Sequence, residues 1–90
     1  MIQWQHIGGK LSWISAGSNI VFGVNSAGNI FYRSGITESA PAGTSWVRVP
    51  GGLTQIDTYQ GEVWGSNSND DVFKLRISCS GVNHQELFYV

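Results

Sequence analysis

Charge is scarce in this chain. Of its 90 residues only 12% are Asp, Glu, Lys or Arg, and the formal net charge is −1. The cations Lys10, Arg33, Arg48, Lys74 and Arg76 are scattered, not grouped. A nucleic-acid binder needs a basic stripe against the phosphates, so no nucleic acid is expected as partner. Cysteine occurs once, as Cys79, which leaves no intrachain disulfide. No apolar run approaches the roughly 20 residues that a membrane-spanning helix requires. His6 and His84 stand apart from any residue at metal-ligand spacing, and the Asn67–Asp71 stretch lacks the Gly and Glu of a calcium loop. Gly8-Gly9-Lys10 lacks the remainder of a phosphate loop, no Gly-x-Ser-x-Gly occurs, and the six acids form no repeat-matched pair. Neither a metal, a cofactor nor an enzyme activity is expected. Glycosylation sequons are missing, and nothing resembling a leader precedes Trp4. Those absences fit a cytosolic protein or a mature secreted one, and do not separate the two.

What the chain has instead is glycine, aromatic residues and self-similarity. Twelve Gly, four Trp, three Tyr and four Phe suit a turn-rich all-β protein. Trp4, Gly9, Leu11 and Ile14 recur 42 residues later as Trp46, Gly51, Leu53 and Ile56. The same offset carries Val21, Gly23, Asn25, Ser26 and Phe31 onto Val63, Gly65, Asn67, Ser68 and Phe73, with Phe22/Trp64 and Ile30/Val72 as conservative pairs. A period near 40 residues built of short strands with Gly-rich turns belongs to propeller blades.

Alternation and turn residues predict strands at Trp4–Ile7, Leu11–Ala16, Ile20–Asn25 and Asn29–Arg33. A second round follows at Trp46–Val49, Leu53–Thr58, Glu62–Ser66 and Val72–Arg76. Residues 34–45 form a longer loop of small residues, and residues 83–90 read as one further strand. The organisation is one unit, with repeat one over about 4–45 and repeat two over about 46–90. Gly23 and Gly65 fall inside strands, where glycine marks a bulge or a close approach, so Val at either position is expected to destabilise the fold.

The series Trp-x-x-Ile-x-Gly-x-Leu-x-x-Ile, then Val21-Phe22-Gly23-Val24-Asn25, then Pro41-Ala42-Gly43-Thr44-Ser45-Trp46, resembles tectonin repeats over residues 4 to about 76. The resemblance implies a β-propeller, often six-bladed, and a lectin that binds microbial surface polysaccharide or lipopolysaccharide in innate recognition. Intracellular relatives implied by the same resemblance act in trafficking and autophagy, which makes a protein-interaction module the alternative.

Trp4 and Trp46 read as packing residues, and Trp64, at the position of Phe22, is favoured as core. Trp13, opposite Gln55 in the second copy, is the candidate exposed aromatic for stacking on a sugar, and its removal is expected to leave the fold intact. The glycan-site candidates are Trp13, Asn25, Arg33, Trp64 and Asn67. Asn25 and Asn67 equally suit turn residues that bond their own backbone, and Arg33 equally suits an exposed charge. Two repeats are too few for a ring, both outer faces are expected to carry apolar strand residues, and no polar capping repeat is seen. A homo-oligomer is therefore expected, with three two-bladed chains closing six blades.

Overall fold

The computed structural model describes residues 2–17, 20–78 and 81–89, those after Arg76 in backbone only. Every regular element among them is a strand: β1 (Trp13–Gly17), β2 (Ile20–Val24), β3 (Asn29–Ser34), β4 (Ser45–Gly52), β5 (Gln55–Tyr59), β6 (Glu62–Ser66), β7 (Val72–Ser78) and β8 (Gly81–Tyr89). They make two antiparallel four-stranded sheets in chain order, β1-β2-β3-β4 and β5-β6-β7-β8. These are blades one and two.

Repeat and sheet are out of step. β4, which opens the second sequence repeat, pairs with β3 and completes blade one: Arg33 lies opposite Trp46 and Tyr32 opposite Val47. The last strand is likewise no spare, because β8 pairs with β7 as the fourth strand of blade two. Trp4–Ile7, read from sequence as a strand, is not one. Its repeat equivalent is held by β3, and among the described residues no strand lies beside Trp4–Ile7. A strand without a ladder has nothing to hold its backbone extended.

Turn chemistry is repeated nearly atom for atom. Asn25 Oδ1 accepts from the backbone N–H groups of Ala27 and Asn29, at 3.0 and 2.9 Å. Asn67 Oδ1 accepts from Asn69 and Asp71, at 2.9 and 3.0 Å. The left-handed residue of each turn is Gly28 (φ 87°) in blade one and Asp70 (φ 66°) in blade two. Pro50 sits in β4, an outer strand where a missing N–H is tolerated, beside the register shift that opposes Asn29 to Gly52 but Ile30 to Val49.

One apolar core lies between the blades. Blade one contributes Phe22, Val24, Ile30 and Val49; blade two and its entry contribute Leu53, Ile56, Val63 and Leu75, all buried. Strand alternation explains the membership: Val63 and Gly65 face blade one, so Glu62, Trp64 and Ser66 face away from it.

Candidate functional site

The innermost strands of the two blades meet along a polar seam. Trp13 of β1 donates its indole N–H to the Ile56 carbonyl of β5 at 2.8 Å. Beside it the Thr58 N–H donates to Ser15 Oγ at 3.1 Å, and the Ser15 hydroxyl reaches Asp57 Oδ1 at 3.3 Å. Trp13 is thus tied to the second blade while the residue stays 45% exposed. Removing it deletes an inter-blade hydrogen bond, so a Trp13 variant is expected to keep the fold at some cost in stability. A signal was present in the sequence: the Trp-to-Gln pairing of residues 13 and 55 keeps an N–H donor at that position.

The seam opens into a cleft of about 440 Å3 lined by Trp13, Ser15, Gln55, Ile56, Asp57, Trp64, Gly65, Ser66 and Val72. Two tryptophans thus share one concavity with a carboxylate, a carboxamide and two hydroxyls. Trp64, expected as core at Phe22's position, is 38% exposed, because its side of blade two faces outward. Its indole N–H donates to Glu62 Oε1 at 3.2 Å, and Lys74 Nζ lies 3.3 Å from Glu62 Oε2 and 5.5 Å from the centre of the Trp64 ring. The Trp64 hydrogen bond, then Lys74 and Arg76, hold the Glu62 carboxyl below its ordinary range. Each of these partners favours the charged form.

The other candidates lie elsewhere. Asn25 and Asn67 close the β2–β3 and β6–β7 turns; Asn67 follows directly on Ser66 of the cleft, whereas Asn25 belongs to the other blade. Arg33 is on the far face of blade one, its guanidinium 5.1 Å over the Trp46 ring and its Nε donating to the Ala42 carbonyl at 2.9 Å. The structure therefore brings Trp13 and Trp64 together, with Asn67 close by in sequence, and leaves Arg33 apart. Residues that the sequence did not single out are Ser15, Gln55, Asp57 and Ser66 of the cleft, and Glu62 and Lys74 against Trp64. Among the described residues no group of three or more His, Cys, Asp or Glu could hold a metal, and no helix is long and apolar enough to cross a membrane.

A tectonin domain profile matches residues 1–89. The chain belongs to the tectonin family. Tectonin-1 of Physarum polycephalum is 37% identical over 78 residues, which are 83% of this chain and 32% of that protein. The perivitellin-2 31 kDa subunit of Pomacea maculata is 32% identical over 69 residues, 77% of this chain and 24% of that one. The fish-egg lectin of Cyprinus carpio is 40% identical over 63 residues, 66% of this chain and 26% of that lectin. The chain spans about a third or less of the length of these relatives. Tectonin repeats are propeller-blade units, and the two sheets are two such blades.

Proposed function

We propose that this pair of tectonin blades is a carbohydrate-binding module whose ligand is a glycan of microbial surfaces, polysaccharide or lipopolysaccharide, in the service of innate recognition. The observation that carries the proposal is the cleft shared by Trp13 and Trp64. An exposed indole offers a flat apolar face for the C–H side of a sugar ring, while Gln55, Asp57 and Ser66 ring it with donors and acceptors for hydroxyls. The relative named as a fish-egg lectin supports it. The chemistry is binding and not turnover. Glu62 is engaged by the Trp64 indole and by Lys74, so it serves the site as a fixed polar support.

Self-association belongs to the same proposal, through the Ile14 face of blade one and with the Trp64 face of blade two left open to the glycan. Ile14, at the position where Ile56 is covered by the neighbouring blade, is 58% exposed, and Trp4 is 96% exposed. A single sugar site is weak, and linked copies raise the effective affinity without new contacts.

A glycan array tests the reading, followed by titration of the best ligand into wild type and Trp64→Ala. The expected result is specific binding that Trp64→Ala weakens by at least about tenfold, the scale of one lost stacking contact. Silence across the array, together with capture of a defined protein partner, would establish the interaction-module alternative instead.

A further inference from the structure

The outward face of blade two is laid out in three rows across β5, β6 and β7: Gln55–Ser66–Val72, Asp57–Trp64–Lys74 and Tyr59–Glu62–Arg76. The equivalent face of blade one, 42 residues earlier, reads Trp13–Val24–Ile30 and Ser15–Phe22–Tyr32 in its first two rows. There Phe22, Val24 and Ile30 are buried against blade two. Between the copies Val24 has become Ser66, Tyr32 has become Lys74 and Ile20 has become Glu62, while an aromatic ring stays at the centre. The expectation of apolar outer faces at both ends is met only in part on blade two, where Ser66, Glu62 and Lys74 stand among Trp64, Val72 and Tyr59, all three of them exposed.

The charges on this face cancel. Two carboxylates, Asp57 and Glu62, stand among two cations, Lys74 and Arg76. Lys74 is bonded to Glu62, and Arg76 lies directly opposite Glu62 and acts on its ionisation. A phosphate or carboxylate sugar needs cations free to form short charge-assisted bonds. Here such a ligand would have to displace Glu62 from Lys74 and would meet the Glu62 charge directly across from Arg76. A hydroxyl both donates and accepts, so it can meet the acceptor-only carboxylates, the donor-only cations and the two-way Ser66 and Gln55 without disturbing any pair.

We infer that the Trp64 face selects an uncharged glycan, a neutral hexose polymer, over a phosphorylated or acidic one. This rests on the glycan-binding reading above and narrows it. If the ligand is a lipopolysaccharide, its neutral polysaccharide is what is bound, not its phosphate groups.

The test uses the whole chain with three probes: a neutral mannan, lipopolysaccharide, and the same lipopolysaccharide after enzymatic dephosphorylation. Each is titrated at low salt and at about 0.5 M NaCl, where screening removes most interactions between exposed charges. Expected are mannan or polysaccharide affinities that move by less than about twofold with salt and do not fall on dephosphorylation. Glu62→Gln, which releases Lys74, is expected to raise affinity for the phosphorylated probe by roughly two- to fivefold, the worth of an exposed ion pair. Adding Lys74→Gln to that variant cancels the gain. If wild type binds only the phosphorylated probe, or loses about tenfold or more in salt, the inference is overturned while the glycan reading stands. If wild type binds none of the probes and no glycan on an array, the glycan reading itself fails and takes this inference with it. Should Glu62→Gln not fold, the salt and dephosphorylation arms on wild type decide alone.

Discussion

Adding one methyl group at Gly65 should cost more than adding the same group at Gly23, although the two glycines are repeat equivalents. A Cβ on Gly65 would lie 2.5 Å from Leu53 Cδ1, 2.8 Å from the Gln55 carbonyl oxygen and 3.2 Å from Ile56 Cγ2. Leu53 and Ile56 are buried core residues, and the Gln55 oxygen is backbone within the β5 ladder. At Gly23 the severe clash is with the Leu11 Cδ1 methyl alone, while the Trp13 carbonyl oxygen stands at 3.3 Å. Leu11 is only partly buried and can swing outward. Overpacking a filled core costs about 1–3 kcal/mol. Gly65→Ala belongs near the upper end, about 3 kcal/mol, and Gly23→Ala near 1 kcal/mol. For a domain of this size that corresponds to roughly 12–24 °C and 4–8 °C off the melting temperature. Urea denaturation of both variants, with wild type alongside, measures the difference directly through the shift in midpoint at constant slope. Equal losses, or a larger loss at Gly23, would refute the argument that immobile backbone and core neighbours set the cost.

Asn25→Ala and Asn67→Ala each leave two turn N–H groups without an acceptor. A loss of about 1–2 kcal/mol is expected for each by chemical denaturation. Trp13→Phe keeps an aromatic ring at the cleft but deletes the bond to the Ile56 carbonyl. It should lower stability by about 1 kcal/mol while retaining more glycan affinity than Trp13→Ala, as calorimetry on the two variants would show. Because Glu62 titrates below its ordinary value of 4.5 in the folded chain, its contribution to stability is present above that pH and is lost as the pH falls through the folded value. Glu62→Gln should therefore flatten the acid limb of a stability profile, and an unchanged limb would contradict the Lys74–Glu62 ion pair. Sedimentation at micromolar concentration should report a species larger than the monomer, and Ile14→Glu should shift it back.

The strands and turns were legible because the chain states them twice. Glu62–Ser66 was read without error, and Asn25 and Asn67 behave as the backbone-bonding turn residues that one of their two readings described. Pairing was harder to read. Nothing in the periodicity of Trp46–Val49 says whether it joins the strands before it or those after it, since a strand's face pattern is the same on either side of a blade boundary. Trp64 misled for a related reason. Phe22 is buried by blade two and not by its own sheet, so a residue at its position is core only where another blade covers it. Trp13 looked dispensable because Gln replaces it, yet the property held in common is a donor, invisible to any ranking by hydrophobicity.

The staggering of repeat and sheet also governs how the chain comes apart. β4 closes blade one, and only Leu53 and Thr54 separate it from β5 of blade two. The Leu53 N–H is anchored at 2.9 Å to the Gly28 carbonyl, back in blade one. Unravelling blade two therefore pulls on the strand that shields β3, and neither sheet can be lost with the other left whole. Amides of β3 and β6 should exchange with solvent in the same opening event, even though they lie in different sheets. Under an applied load, a chain of such blades would yield as overlapping pairs and not one unit at a time.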